Sequence, residues 1–440
     1  MILLWGLGGA LLALSYYYSL FWLPWLILSA MFYTFYSWEN FKSKQLLTAL
    51  LLFFIVHNSW VLSLAPWSGR IVICFVYLIS IGLLSFIYFF LLKSIYKLTH
   101  KKFGWIGILA ITLFIEIALL SGSFAYPLYS LTLTQVYSPF IWLTRLPFGY
   151  FILPVVLVTF CLIIATNFLS YQNNKDKKKK YFFRFIAIFG GLALLVLLAQ
   201  PPKKIEPNLN AVLIQTNINQ QNKLDSNQYP QLLNTYKDIL KKALANYPDA
   251  QHYLLPETII PALWQKRIAK KLSAISGDKT IIFGLPVKKN KKIHNSILVL
   301  KNGKYTASYH KKKLVPFGEY MPAGINLLYR DKSVIYYSPD SNANQVNLNG
   351  TNLSVGICFE SAFPQLFQNQ TETKAILILS NDAWYNNMFK KIHLKTAVIR
   401  AVESQKKLYF ISNNGITAIV NNRGKIIQSL TAGKQGFLKD

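Results

Sequence analysis

Cys358 is the one cysteine between residue 201 and the end of the chain, and it closes the apolar run Ser354-Val355-Gly356-Ile357 just before the sequence turns polar at Glu360 and Ser361. A lone thiol at a strand end is either a small buried apolar residue or a nucleophile. Its company favours the nucleophile. Leu254-Leu255-Pro256 ends in Glu257 and Tyr309-His310 ends in Lys311, so a carboxylate and an ammonium each follow a strand as the thiol does. A carboxylate there is costly unless it is paired or moves protons, although capping a helix near Pro261 is an alternative use. Lys311 shares a triplet with Lys312 and Lys313, of which two are expected to face solvent. Further on, Glu319 sits in Leu314-Val315-Pro316-Phe317-Gly318-Glu319-Tyr320-Met321-Pro322, whose prolines and glycine fix a loop. Behind the thiol, Phe359-Glu360-Ser361 opens a turn whose backbone N–H groups could lower the thiol pKa and hold an oxyanion. Ser380-Asn381-Asp382-Ala383-Trp384 follows another strand in the same way, though Asn-Asp is also an ordinary turn pair.

The elements that must position these residues begin at Pro201, where short β-rich runs alternate with amphipathic segments. The pattern predicts strands over 211–214, 252–255, 280–283, 296–300, 305–309, 353–358, 375–380, 408–412, 417–420 and 425–428. Helices are expected near 229–245, 261–275 and 391–404. Hairpins and strand–helix units together read as one α/β domain with a mixed sheet, residues 201–440.

Residues 1–200 differ in kind. They hold seven apolar stretches, near 2–17, 20–38, 45–64, 71–92, 103–121, 146–169 and 182–199, suited to a hydrocarbon core roughly 30 Å thick. The first lacks the basic leader and small-residue cleavage site of a signal peptide, so it is read as a span. Loops after the second, fourth and sixth stretches carry Lys42 and Lys44, then Lys93, Lys97, Lys101 and Lys102, then Lys175, Lys177 to Lys180 and Arg184. The other loops carry only Arg70 and Arg145. The positive-inside rule then places the N-terminus in the cytoplasm and the α/β domain outside it. Trp22, Trp25, Trp60 and Trp67 near span ends suit an interfacial belt, and Cys74 and Cys161 fall inside spans as expected packing residues.

The net charge is +30, and residues 201–440 alone carry 33 Lys and Arg against 14 Asp and Glu. Nucleic acid is the usual partner of such a balance. Seven spans and an exported domain favour phosphate head groups of a membrane instead, with each basic residue near the surface gaining about 1 kcal/mol. Glu116 is the sole acidic residue within the spans, which argues against an ion or solute pathway. The sequence has no metal-ligand motif, phosphate-cradling loop or dinucleotide fingerprint, so no cofactor is expected.

Glu257, Lys311 and Cys358, in this order and each after a strand, resemble the Glu-Lys-Cys triad of the nitrilase (carbon–nitrogen hydrolase) superfamily, whose fold is an α-β-β-α sandwich. Leu314 to Pro322, Ser380 to Trp384 with Arg400-Ala401-Val402-Glu403, and Ser412 to Ala418, behind a multi-span N-terminus, are similar to the apolipoprotein N-acyltransferase family of the bacterial inner membrane. The resemblance implies a transmembrane helical domain over residues 1–200 and a nitrilase-like catalytic domain over 201–440 on the periplasmic side. It implies that Cys358 takes a fatty acyl chain from a phospholipid, typically phosphatidylethanolamine, as a thioester. The chain would then pass to the free amine of diacylglyceryl-cysteine at an apolipoprotein N-terminus. Glu257 would be the general base, and Lys311 with the Phe359 N–H the oxyanion support. Glu319 would hold Lys311, with Glu360 a further acidic position beside the nucleophile. A membrane-tethered amidase or nitrilase acting on a small C–N substrate is the other reaction the same triad serves. The sequence departs from the family pattern in several places. Lys223-Leu224 stands where Trp is common, Phe359 where Tyr is frequent, and Leu119 or its neighbours where an Arg is expected after Glu116. Gln435 to Asp440 offers no apolar run where an eighth span commonly follows.

Overall fold

The computed structural model describes residues 2–37, 43–68, 70–99, 104–122, 125–173, 178–202, 206–321, 336–341 and 343–440. Trp38, Lys42, Lys101, Lys102, Phe103, Lys175, Lys177 and Pro322 lie outside the described residues. The chain divides into two units, one of residues 1–121 and 126–201, the other of residues 122–125 and 202–440.

In the first unit each expected span is a helix: α1 Ile2–Tyr17, α2 Trp22–Ser37, α3 Ser43–His57, α5 Arg70–Thr99, α6 Gly104–Leu119, α7 Gly149–Asn173 and α8 Lys178–Leu198. A short α4, Ala65–Ser68, lies between α3 and α5. Among the described residues, four segments are long and apolar enough to cross a membrane: Ser43–Leu64, Arg70–Ser94, Gly149–Asn173 and Lys178–Leu198. Helices α1, α2 and α6 have 16 described residues each, against the roughly 20 that a hydrocarbon core asks for. Length and composition therefore support four of the seven spans. Cys161 packs with Leu157, Val158 and Leu162 against Trp25, Leu28 and Phe32, as expected, whereas Cys74 is exposed on α5. Glu116 of α6 is buried, and its Oε1 accepts the Leu131 N–H at 3.0 Å.

The second unit holds twelve strands among the described residues. They are β1 Ala211–Gln215, β2 His252–Leu254, β3 Thr280–Lys289, β4 Lys292–Lys301, β5 Lys304–His310, β6 Gln345–Leu348, β7 Thr351–Ile357, β8 Ala375–Ser380, β9 Lys407–Ser412, β10 Thr417–Val420, β11 Ile426–Leu430 and β12 Gly436–Lys439. They form two sheets, in the orders β12-β1-β2-β3-β4-β5 and β11-β10-β9-β8-β7-β6. The core of each is three parallel strands, β1-β2-β3 and β7-β8-β9, with antiparallel strands on both sides. One mixed sheet was expected from the residue pattern alone. Two are found, in an α-β-β-α arrangement, because periodicity identifies strands but does not assign them to sheets.

Helices α9 Gln220–Leu224, α10 Tyr229–Asn246, α11 Gln265–Ser276 and α12 Asn387–Ser404 complete the unit. Val212, Ile214 and Tyr253 of the first sheet pack under Tyr236 and Leu240 of α10 and Ile268 and Leu272 of α11. Leu213 and Leu254, facing the opposite way, are equally buried. Burial on both faces is why these strands read as unbroken apolar runs, and each such side chain contributes about 1.5–3 kcal/mol. Two strands escape the sequence pattern. In β6, exposed Asn347 alternates with buried Val346 and Leu348 at a sheet edge, and β12 is a strand only through its antiparallel register with β1, Val212 opposite Lys439.

Candidate active site

Glu257 is held by a chain that keeps bonding to the sheet after β2 ends. The Leu255 N–H donates to Ile282 O at 2.8 Å, the Gly284 N–H to Pro256 O at 3.0 Å and the Ile259 N–H to Gly284 O at 2.9 Å. Position 284 must be glycine: a Cβ there would lie 2.4 Å from Thr258 N and 2.6 Å from Glu257 Cα. The next helix, α11, starts only at Gln265, so Glu257 does not cap it. Its Oε1 instead accepts from Asn295 Nδ2 at 2.7 Å, and the same amide donates to Glu319 Oε1 at 2.8 Å. Lys311 follows β5, with its N–H on Asn295 O at 2.8 Å. Its Nζ lies 2.9 Å from Glu319 and 3.7 Å from Glu257, and the side chain is 1 % exposed. The loop after Leu314 folds Glu319 back onto this ammonium: the Glu319 N–H reaches Val315 O at 2.9 Å, and Oε2 accepts the Val315 N–H at 2.8 Å.

Cys358 is the first residue past β7 and opens a 3-10 turn, Cys358–Ala362. Its φ of +51° is left-handed, a conformation that is strained for a side-chain-bearing residue and here aims the thiol out of the strand direction. Glu360 locks the turn. Its Oε2 accepts the Ile357 N–H at 2.8 Å. Its Oε1 accepts Tyr309 Oη at 2.7 Å and the N–H groups of Lys312 at 2.7 Å and Lys313 at 3.1 Å. One carboxylate thus ties the Cys358 turn to the segment that carries Lys311.

Burial and the Glu257 charge push the Cys358 thiol well above its ordinary range, while the Lys311 ammonium works the other way. Burial also raises the Glu257 carboxyl, against the opposing pull of Lys311. For Lys311, burial alone would lower the pKa, but Glu319 and Glu257 more than offset it and the ammonium is held above its usual range. The structure therefore brings Glu257, Lys311, Glu319 and Cys358 into one buried electrostatic cluster in which the thiol rests protonated beside a base and a fixed cation. Lys223 of α9 turns inward toward the same cluster. Its Nζ donates to Thr258 O at 3.0 Å, and burial pushes its ammonium down to about 7 with the Glu257 charge opposing. Phe359 is buried and stacks edge-on with Phe363, ring centroids 5.1 Å apart.

Three further residues join the site. Asn295 is the amide between the two carboxylates. Asp382 and His393 form a second buried pair: Asp382 Oδ1 takes His393 Nδ1 at 2.7 Å and Ser380 Oγ at 2.8 Å, and Oδ2 takes Ser412 Oγ at 3.0 Å. Gly415 lets that carboxylate in, since a Cβ there would lie 2.2 Å from Oδ2. Cys358, Asp382 and His393 each offer a ligand atom within 4.8 Å of the others, a spacing that a soft divalent ion could use. Both Asp382 oxygens are already committed to hydrogen bonds, so the cluster reads as a polar network rather than a metal cradle.

The sequence matches the carbon-nitrogen hydrolase family over residues 212–438. The chain belongs to that family. It is also similar to an apolipoprotein N-acyltransferase of Haemophilus ducreyi, 31% identical over 69% of this chain and 63% of that protein. One of Aquifex aeolicus is 29% identical over 60% of this chain and 61% of that protein. The chain therefore spans about three fifths of the length of these curated relatives. A nitrilase-superfamily protein of Saccharomyces cerevisiae of known structure aligns at TM-score 0.40 and 20% identity, covering 52% of this chain and 87% of that one.

Asn295 had no signal, because it stands among the polar residues Lys292, His294 and Ser296 at the start of β4. Asp382 was singled out in the string Ser380 to Trp384, with an ordinary turn as the alternative, but with no role of its own. His393 had no signal, because a lone histidine on a helix is ordinary.

Proposed function

We propose that this protein transfers a fatty acyl chain from a phospholipid to the N-terminal amine of diacylglyceryl-cysteine in apolipoproteins, through a thioester on Cys358. The observation that carries this reading is the buried Glu257–Lys311–Cys358 cluster in a chain that also holds four helices of membrane-crossing length and composition. The names of the relatives supply the substrate classes. In the first half-reaction the Cys358 thiol gives its proton to Glu257 and its sulfur attacks the ester carbonyl. The oxyanion forms against the Lys311 ammonium and the Phe359 N–H, and the C–O bond then breaks as Glu257 returns the proton to the leaving lysophospholipid oxygen. In the second, the α-amine attacks the thioester, Glu257 takes its proton, the C–S bond breaks and the thiol is restored. A raised thiol facing a raised carboxyl suits this shuttle, since proton transfer is easiest between groups of similar affinity. Glu319 and Asn295 hold Lys311 and Glu257 in register. Exclusion of water from the buried cluster favours transfer over hydrolysis. On this reading the apolar helices anchor the enzyme in the bacterial inner membrane, with the α/β unit on the periplasmic side and both substrates drawn from the bilayer.

The test is to reconstitute the protein in vesicles with phosphatidylethanolamine labelled in its acyl chains and a synthetic diacylglyceryl-cysteine peptide. The peptide should gain one acyl mass on its amine while lysophospholipid accumulates. An unmodified peptide together with cleavage of small amides would instead identify a hydrolase.

A further inference from the structure

His393 lies on α12, a helix capped by Asn386, whose side chain accepts the Phe389 N–H at 3.1 Å. The imidazole is 3 % exposed, and Asp382 fixes its tautomer and orientation through Nδ1 at 2.7 Å. The remaining ring nitrogen, Nε2, is buried without a hydrogen bond of ordinary geometry, and the Cys358 backbone is close enough to act on the ring. Helix α12 grips the same turn a second time: Thr396 Oγ1 lies 2.6 Å from Ser361 Oγ and donates to His393 O at 2.7 Å. Two contacts from one helix thus reach the turn that Cys358 opens with a φ of +51°. A left-handed cysteine persists only where its surroundings over-determine it, and the triad residues come from other elements.

We propose that the Asp382–His393 pair is a positioning device for the nucleophile, holding the Cys358 turn in its left-handed form and setting the imidazole beside the sulfur. This deepens the proposed transferase reading and rests on it for its purpose, though not for its chemistry. A proton on the ring favours the thiolate, as Lys311 does from the other sheet, while the Asp382 charge opposes it. Burial lowers the affinity of His393 for its proton, but the charge and hydrogen bond of Asp382 more than offset this, so the ring holds its proton above the ordinary histidine range. The other titratable groups around the pair are Glu257, Glu319, Lys311, Tyr385 and Lys390. All five remain in the variants below, so a change between variants reports the pair.

The experiment measures alkylation of Cys358 by iodoacetamide between pH 5 and 10 in the full chain, quantified on the Cys358 peptide by mass spectrometry so that Cys74 and Cys161 do not contribute. His393→Ala should slow alkylation at neutral pH about tenfold or more, and His393→Gln should move the profile to higher pH while the protein stays folded. A His393→Gln profile that overlays the wild type would overturn the proposal, whether or not His393→Ala folds. Dependence on His393 in a protein that forms no acyl adduct from phospholipid would retain the positioning role and remove the transferase reading.

Discussion

The two sheets of the α/β unit supply different halves of the site by different physical means. The first sheet delivers charge: Glu257, Lys311, Glu319 and the Asn295 amide form a compact ion cluster fixed by hydrogen bonds between 2.7 and 2.9 Å, with Glu257 at 3.7 Å from the ammonium. The second sheet delivers geometry: a left-handed Cys358 at the end of β7, locked by Glu360 and backed by α12. Charge in a buried place is stabilised only by its partners, so the first half is sensitive to neutralisation. A strained backbone is stabilised only by what grips it, so the second half is sensitive to loss of a hydrogen bond. Glu360 belongs to both, since its carboxylate bonds the Cys358 turn and the two N–H groups after Lys311.

The sharpest way to break this contrast is Lys311→Met. It removes the proposed oxyanion support, with an expected loss of about 10²–10³ in turnover, and leaves two buried carboxylates without their cation, at about 3–5 kcal/mol of stability. Turnover of acyl transfer and denaturant melts read the two effects separately. A variant that keeps activity would place the oxyanion support elsewhere. Glu360→Gln comes next. All four donors to Glu360 need an acceptor, and an amide offers an NH₂ to at least one of them. The expected cost is about 1.5–3 kcal/mol, with turnover down by about 10²-fold as the turn shifts and alkylation of Cys358 slowed in parallel.

Asn295→Ala should have the smallest effect, about two- to tenfold in kcat/KM. Its sign is diagnostic. Burial raises the Glu257 carboxyl, and the Asn295 hydrogen bond opposes that rise, so removing the amide should carry the acid limb of the pH–rate profile to higher pH. A shift to lower pH would mean that Glu257 is not the group whose ionisation limits the rate.

The parts of the site on the chain's punctuated runs were legible in the sequence. Glu257, Lys311 and Cys358 each stand where an apolar strand stops, and the Pro- and Gly-containing loop marks Glu319, so local pattern alone isolates them. Their meeting was not legible from pattern, because it depends on two sheets packing face to face and periodicity carries no information on which strands share a sheet. Asn295 and His393 were hidden for a related reason: their importance lies in what they touch across the fold. In the first unit the apolar runs announced all seven long helices, and α1 covers the same residues, 2–17, as its run. Lys223 shows the limit of resemblance. It stands where the family often has tryptophan, and the structure turns it inward to bond Thr258 O.

The most direct measurement is the intact mass of the purified protein after incubation with phospholipid in the absence of any amine acceptor. A single fatty acyl adduct on Cys358, released by neutral hydroxylamine and absent from Cys358→Ala, is the predicted result. No adduct on the wild type, or an adduct that survives replacement of Cys358, would contradict the account.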